Sequence, residues 1–513
     1  MKQPNYPALY QINTRVWLTE LSPASGRRAT LDDIPDQALD ELAEKGFDWI
    51  WFLSVWSTGK AARKISCENK GWRHEFEKTV PDLCEEDIGG SGFAITAYTV
   101  HPDLGGDDAL ARLRVRLKKR GLKLMLDFVP NHMAPDHPWV DEHPEFFVQG
   151  TTNDLESFPQ NYTRLKCKGG ETIFAHGRDP YFPGWPDTLQ LNYCNPATQD
   201  AMIRELKRIS GQCDGLRCDM AMLVMPDVFE RTWGRSAERF WAKAIQAVRE
   251  KSPKFCFMAE VYWDMEWRLQ QEGFDYTYDK RLYDRLIEHN ARSVREHFYA
   301  DAEYQNKLAR FLENHDEPRA ASVFENKIQK AAAVISFLCP GLRFFHQGQF
   351  EGKKTRISPH LIRGPRELPD AELQLFYAEL LSALKKPLYR NGQWCLLACD
   401  SAWNGNESYD SFVAFAWEGT QNERSLIVVN YAPHSSQCYI RLPFTGFENQ
   451  TIRFKDLMSN AVYDRKGYDV LTGGIYFDLP PWGYHIFEVS VLPAEIPEGR
   501  KIITAPRSHI ITA

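Results

Sequence analysis

The chain has 513 residues, of which 43% are hydrophobic and 26% are charged, and its formal net charge is -7. These values are typical of a soluble globular protein, and the length favours more than one domain. The acidic balance argues against nucleic acid or an anionic membrane as a partner, since there is no block of Lys and Arg and no glycine-rich phosphate loop. No apolar run reaches the roughly 20 residues that span a bilayer, and the start has no stretch of signal-peptide type. The sequence therefore predicts a cytoplasmic protein.

Cysteine usage favours a reducing compartment. The eleven cysteines form an odd, scattered set without a CxxC pair or a His/Cys cluster of zinc type. Several of them, such as Cys218, Cys256 and Cys339, stand in apolar runs, where a free thiol behaves as a small hydrophobic group. Pairing of Cys67 with Cys84 across a charged loop is the alternative. We expect no cofactor.

Strand-like apolar runs alternate with helical patterns from residue 8 to about residue 388. Helical periodicity is clear over residues 36–45, 107–120 and 198–211. This alternation predicts a parallel sheet, and a (β/α)8 TIM barrel fits the length. A short signal at 274–276 would complete the set of eight strands. The seven clearer strands are predicted at 9–12, 49–53, 122–128, 215–218, 255–260, 309–312 and 342–345.

Two long insertions and a change of pattern divide the chain. Segments 57–92 and 131–191 follow strands at the end of the barrel where loops build sites. From about residue 387 short alternating runs, such as SFVAFAWEG and SLIVVNYAP, predict an all-β domain. We expect a catalytic barrel at 1–130 and 192–388, an inserted loop domain at 131–191, a C-terminal β-sandwich at 389–490 and a tail at 491–513.

Four apolar runs lead into carboxylates, at Asp127, Asp219, Glu260 and Asp316. Charged groups are costly in apolar surroundings unless they are paired or used, so a shared active site would explain all four. Retaining glycosidases need two carboxyl groups about 5 Å apart, and in a TIM barrel such groups come from the C-terminal ends of different strands. Strand alternation puts Arg217 on the same face as Asp219, where it can keep that acid ionised. A buried structural ion pair is the alternative.

The four segments DFVPNH, GLRCDMAM, FMAEVYW and FLENHD resemble, in order, the four short regions of the α-amylase family, glycoside hydrolase family 13. Further similarity runs from YQINTRVW at 10–17 to PGLRFFHQGQ at 340–349. The resemblance implies that Asp219 is the nucleophile, that Glu260 is the general acid and base, and that Asp316 stabilises the transition state. It also implies that the attacked sugar is bound by Arg217, His132, His315, Asp127 and Phe93, the last of which stands where the family often has a tyrosine.

Departures from the family pattern bear on the substrate. Met222 and Leu223 stand where Lys and His commonly bind the leaving side of an α-1,4-glucan, which argues against ordinary endo-hydrolysis of starch. The resemblance then favours a retaining hydrolase of α-linked glucosides or α-glucan oligosaccharides. The alternatives are a transglycosylase of glucanotransferase or sugar isomerase type, and a catalytically silent homologue that binds glycans.

The structural calcium of many α-amylases is not expected in this chain. Asn131 matches one family ligand, but Gln190 stands in place of an aspartate and Leu223 in place of a histidine. A neutral ligand in place of a carboxylate weakens calcium binding. The alternative is that Asp187 or Asp154 supplies the missing charge.

Aromatic residues make up 13% of the chain, and many of them fall in or beside the inserted loops. Flat rings stack on sugar faces, so this enrichment suits a glycan cleft, although plain packing of large loops is the alternative. The rings in question are Trp56, Trp72, Trp139, Phe146, Phe147, Tyr181, Phe182 and Trp185.

Overall fold

Eight parallel strands form a closed barrel, as predicted. The computed structural model describes residues 4–22 and 26–492, and the barrel strands follow one another around the barrel in chain order. Most of their residues are buried on both faces, which is why strands such as WIWFL read as continuous apolar runs. The strands are Ala8–Asn13, Trp49–Leu53, Lys123–Phe128, Gly215–Cys218, Cys256–Ala259, Tyr276–Tyr278, Leu308–Arg310 and Leu342–His346.

The sixth and seventh strands differ from their predicted ranges. The sixth, Tyr276–Tyr278, starts later than residue 274, because Gly273 ends the preceding helix in a left-handed conformation with φ 110° and Phe274 packs in the core before the strand begins. The seventh ends at Arg310 and not at residue 312. Phe311 is buried beyond the end of the strand, so its apolar character reflects core packing and not sheet pairing.

Helices connect the barrel strands. The helices predicted at 36–45, 107–120 and 198–211 are found at Asp36–Glu44, Gly106–Lys119 and Pro196–Ile209. Each has an apolar stripe of buried residues facing the barrel, as an amphipathic helix should. Other helices of seven or more residues before the terminal domain are Thr14–Leu21, Lys60–Glu68, Lys70–Thr79, Pro226–Trp233, Trp241–Arg249, Glu266–Glu272, Lys280–Ile287, Ala291–His297, Asn326–Phe337 and Ala371–Leu384.

The segment after the third strand is built from small paired elements. Its ends meet where His132–Met133 pairs antiparallel with Leu189–Gln190. Between them lies the hairpin of Tyr162–Cys167 and Gly170–Ala175. The first and last residues of this segment are therefore paired with each other next to the end of the third strand.

An all-β domain follows the barrel, as predicted. Trp417 Nε1 donates to the Leu338 carbonyl at 2.8 Å, and the Tyr431 hydroxyl donates to the Leu286 carbonyl at 2.7 Å, so the domain packs on the barrel. The predicted tail at 491–513 lies, apart from its first two residues, outside the described residues. One sheet has the spatial order Gln393–Leu396, Phe412–Glu418, Arg424–Asn430, Tyr484–Val491, Thr451–Asp456 and Val462–Lys466, and a second has the order Cys399–Ser401, Ser436–Ile440 and Ile475–Leu479.

All eleven cysteines are free thiols, so Cys67 and Cys84 do not form the alternative disulfide. Within 4–22 and 26–492, none of the helices has the length and apolar character needed to cross a membrane.

Candidate active site

The predicted acids meet at the C-terminal ends of neighbouring barrel strands. Asp219 directly follows the fourth strand and Glu260 directly follows the fifth. The register pairs Cys218 with Ala259, which brings the two following carboxylates side by side. Asp316 comes from the loop after the seventh strand.

Arg217 is the centre of this group. Its fully buried guanidinium donates through Nη1 to Asp219 Oδ1 at 2.6 Å, while Nη2 lies 2.6 Å from Glu260 Oε2 and 3.8 Å from Asp316 Oδ2. The sequence indicated the first of these contacts only. The ring of Phe93 lies 5.3 Å from the guanidinium, within cation–π range. One cation thus contacts Asp219 and Glu260 closely and lies within ion-pair distance of Asp316.

Glu260 has further partners that orient it. Its Oε2 accepts from the Met220 backbone N–H at 2.6 Å, and its Oε1 accepts from the Tyr262 hydroxyl at 3.0 Å. Met220 takes a left-handed conformation with φ 41°, a strained one for a residue other than glycine. Sequence reasoning missed Tyr262, although the same two-residue alternation that linked Arg217 to Asp219 would have found it.

Burial controls the protonation of the two strand-end acids. It raises the pKa of Asp219 to about 6, against the opposing effect of the Arg217 guanidinium. It raises the pKa of Glu260 further, to about 8, because the Asp219 and Asp316 carboxylates also disfavour its charge, again against the attraction of Arg217. The two acids are therefore arranged so that Asp219 ionises first and Glu260 keeps its proton longer.

Asp316 is positioned by a polar turn. The Asn314 side-chain oxygen accepts from the backbone N–H groups of Asp316 and Glu317, at 2.8 and 2.9 Å. His315 Nδ1 contacts the Gln11 amide nitrogen at 2.8 Å and therefore accepts, which leaves the ring proton on Nε2, 3.0 Å from Asp316 Oδ2. The polar turn at Asn314 thus places the Asp316 carboxylate at the site. Burial lowers the pKa of His315 to about 3, so the ring is neutral.

Of the remaining predicted site residues, Phe93 lies beside Arg217, whereas Asp127 lies deeper in the barrel. Phe93 is half-buried and stacks on His315 with ring centroids 5.5 Å apart, beside Arg217. Asp127 lies deeper, 1% exposed, and its carboxylate accepts from Trp51 Nε1 and from the Ser54 backbone, so it fixes the end of the second strand.

His132 is buried beside Trp185, with ring centroids 5.3 Å apart. Burial lowers the pKa of His132 to about 3. Met222 and Leu223 are buried apolar side chains. They offer no polar group to a ligand.

The loop aromatics divide between packing and exposure. Trp56, Phe146 and Phe147 are buried in the core, so packing accounts for them. Tyr181 and Phe182 are instead 59% and 67% exposed. These two rings are available to a ligand.

The residues at the family's calcium position do not fit a cation. Gln190 is fully buried, and its Nε2 donates to Asn131 Oδ1 and the Asn131 carbonyl at 3.0 Å each and to the Leu191 carbonyl at 3.1 Å. The amide must point this way, because a flip would set Oε1 against three oxygens. A hydrogen-bond donor therefore occupies the centre of an oxygen cluster.

The alternative calcium ligands are placed differently. Asp154 caps the helix Thr152–Ser157 through Thr151. Asp187 is 2% exposed, and burial raises its pKa to about 7, which favours a neutral carboxyl. No group of three or more His, Cys, Asp or Glu side chains in the described part of the chain is arranged to hold a metal.

The chain is similar to known proteins over most of its barrel. The sequence model of the protein family described as "Alpha amylase, catalytic domain" matches residues 36–360. Alpha-amylase 3 of Dictyoglomus thermophilum is 23% identical over 299 residues, which cover 54% of this chain and 57% of that protein. An alpha-1,4-glucan:maltose-1-phosphate maltosyltransferase of Pseudomonas aeruginosa is 31% identical over 144 residues, 26% of this chain and 20% of that protein. The matched region thus spans less than two thirds of the length of each of these curated relatives.

The fold has solved counterparts. The structure of a maltogenic alpha-amylase from Thermotoga neapolitana aligns with a TM-score of 0.67 and 19% identity, covering 95% of this chain and 99% of that one. At this identity the likeness shows the fold, while the family model covers well over half of the chain. The protein belongs to the alpha-amylase catalytic-domain family.

Proposed function

We propose that the protein is a retaining glycoside hydrolase acting on α-linked glucosides or α-glucan oligosaccharides. The observation that carries the proposal is the buried guanidinium of Arg217, which contacts both Asp219 and Glu260 and has Asp316 nearby. Retaining glycosidases use two carboxyl groups about 5 Å apart, one ionised and one protonated, and the pKa order of the two strand-end acids suits these roles.

The first step forms a glycosyl-enzyme intermediate. Asp219 Oδ1 is bound by Arg217, so Oδ2 is the oxygen that attacks the anomeric carbon as the glycosidic bond breaks. Glu260 Oε2 faces the Met220 N–H and the Arg217 guanidinium, so its proton resides on Oε1 and passes to the leaving oxygen. The Asp316 carboxylate faces the positive charge that develops on the sugar.

The second step releases the sugar. Glu260, now ionised, takes a proton from water, whose oxygen attacks the anomeric carbon and breaks the bond to Asp219. A sugar hydroxyl in place of water gives transfer, the second candidate activity. The maltosyltransferase relative and the apolar Met222 and Leu223 support keeping this candidate.

The cytoplasmic location predicted from the sequence is supported by the eleven free thiols.

Product analysis tests the proposal. Maltooligosaccharides, sucrose, trehalose and isomaltose are incubated with the protein, with Asp219→Ala as control, and the products are separated by chromatography. Hydrolysis gives only shorter sugars, transfer gives longer or rearranged ones, and a silent glycan binder gives neither. Proton NMR during early turnover should show the α anomer first. A β anomer released first would remove Asp219 from the nucleophile role.

A further inference from the structure

A cavity of about 410 Å³ lies between the helix Thr14–Leu21, which follows the first barrel strand, and the start of the helix Lys60–Glu68. None of the three acids at the barrel mouth lines it. Gly89 does line it, a few residues before Phe93 in the chain. The cavity is therefore separate from the acids, but it adjoins the segment that carries Phe93.

A buried guanidinium lines this cavity without a carboxylate partner. Arg15 is 8% exposed, and no carboxylate in the described part of the chain forms an ion pair with it. Asp103 also lines the cavity, but it pairs with Arg28 at 3.2 Å. Burial lowers the pKa of Arg15 to about 10, against the opposing effect of Asp103. Because a buried charge is costly unless it is paired, Arg15 favours an anion in the cavity.

Arg15 also has hydrogen-bond donors to spare. Its Nη1 donates to the Gly90 carbonyl at 2.9 Å and its Nη2 to Thr58 Oγ1 at 3.3 Å, so three of its five N–H groups have no acceptor among the described residues. Arg343 provides the contrast. It too is buried without a carboxylate among those residues, but each of its three nitrogens donates to a backbone carbonyl. Protein groups thus satisfy Arg343, whereas Arg15 can still bind a ligand.

Other positive groups surround Arg15. Lys60 and Arg63 line the cavity, and neither forms an ion pair within 4–22 and 26–492. His101 Nδ1 accepts from the Asp103 backbone N–H at 3.2 Å, which leaves the ring proton on Nε2 as a further donor. Four cationic side chains against two carboxylates favour a negatively charged ligand. The charged lining residues are Arg15, Arg28, Lys60, Arg63, Glu86 and Asp103.

The lining selects the kind of anion. A guanidinium matches the oxygens of a phosphate in a bidentate manner, and a lysine adds a point charge. The cavity is larger than a phosphate ion needs and falls in the size range of sites for small organic molecules. Thr58 Oγ1 accepts from Arg15, so its hydroxyl proton can go to a ligand, and Leu18 and Ile362 add apolar surface.

We propose that the cavity at Arg15, Lys60, Arg63 and His101 binds a phosphorylated small molecule of about the size of a sugar phosphate. Arg15 and Lys60 bind the phosphate group, and the Thr58 hydroxyl and the apolar side chains contact the organic part. The proposal concerns a site apart from the acids and does not depend on the proposed function.

Calorimetric titration of the full-length protein tests the site. The ligands are glucose 6-phosphate, inorganic phosphate and glucose, and the variants are Arg15→Met and Lys60→Glu. Lys78→Glu is the matched control, since Lys78 is likewise an exposed helix lysine without an ion pair in the described residues and does not line the cavity. We expect glucose 6-phosphate to bind at least about tenfold more tightly than either other ligand, and each cavity variant to weaken its binding about tenfold. The control should leave binding unchanged.

The outcomes decide both parts of the proposal. Absence of binding by the wild type, unchanged binding in both cavity variants, or an equal loss in Lys78→Glu would overturn the site. Equal affinities for inorganic phosphate and glucose 6-phosphate would assign the cavity to the free ion and overturn the organic part. Lys60→Glu keeps the test valid if Arg15→Met fails to fold, because Lys60 is exposed and its side chain holds no other element in place.

Discussion

Asp219 and Glu260 are held very differently from Asp316. The first two follow barrel strands directly and are 6% and 3% exposed, with their oxygens engaged by Arg217 and by backbone or hydroxyl donors. The Asp316 side chain is 38% exposed and is held by a local turn. Desolvation raises the pKa values of the two buried acids, which suits the nucleophile and proton-donor roles proposed for them. Barrel strands therefore fix the two acids for which we propose the nucleophile and proton-donor roles, while a loop presents the acid that we propose acts through its charge.

The largest effect is expected from Asp219→Ala. Loss of the nucleophile should reduce kcat by at least about 10⁴-fold. Circular dichroism should show an intact fold, because Glu260 and Asp316 remain to balance the buried Arg217. Turnover close to the wild-type rate would sink the nucleophile assignment, and loss of folding would favour the structural ion pair.

Asp316→Asn should have the next largest effect. Removal of one preorganised electrostatic contact typically costs about 10²- to 10³-fold in kcat. The melting temperature should change little, because the side chain is partly exposed and the Asn314 turn uses backbone N–H groups. A fall in stability larger than that of Asp219→Ala would contradict the contrast between loop and strand acids.

Tyr262→Phe tests the orientation of Glu260. The wild-type pH profile of kcat/KM should fall below about 6, where Asp219 gains a proton, and above about 8, where Glu260 loses one. The Tyr262 hydroxyl donates to the carboxylate and favours its charged form, so its removal should raise the pKa of Glu260. We expect about a tenfold loss of rate and an alkaline limb shifted upward. An alkaline limb that stays in place would assign it to another group.

The smallest expected effect is that of a chelator. Excess EDTA should leave the melting temperature and activity of the wild type unchanged, since Gln190 donates where the family places a cation. Gln190→Leu should lower the free energy of unfolding by about 1–3 kcal/mol, because it removes the side-chain donor of Asn131 Oδ1 and of the Leu191 carbonyl. Loss of stability in EDTA that calcium restores would show that a metal binds after all.

Much of the barrel could be predicted from the sequence. The strands Trp49–Leu53 and Gly215–Cys218 have the predicted bounds. The first is a continuous apolar run, as expected of a parallel strand buried on both faces, and the second is a short run in which Arg217 is the one charged residue, directly before the acid at 219. The acids after the fourth and fifth strands were found for the same reason. Phe274 and Phe311 misled the prediction, since core packing outside a strand uses the same residue types.

Contacts across the barrel could not be predicted. The bond between Gln11 and His315 joins residues 304 positions apart, and nothing local indicates it. The reach of Arg217 to Glu260 and Asp316 depends likewise on the closure of the barrel. The oxygen cluster around Gln190 forms only where the two ends of the inserted segment meet. The sequence therefore showed that Gln190 stands in place of an aspartate, but not that its amide nitrogen donates to three oxygens.

Met220, in its left-handed conformation, links the backbone after Asp219 to the side chain of Glu260. The N–H of Met220 donates to the Glu260 carboxylate, and that of Ala221 donates to the Glu260 carbonyl at 3.0 Å. A backbone shift after Asp219 would therefore also move the carboxylate of Glu260, the group that we propose as the proton donor.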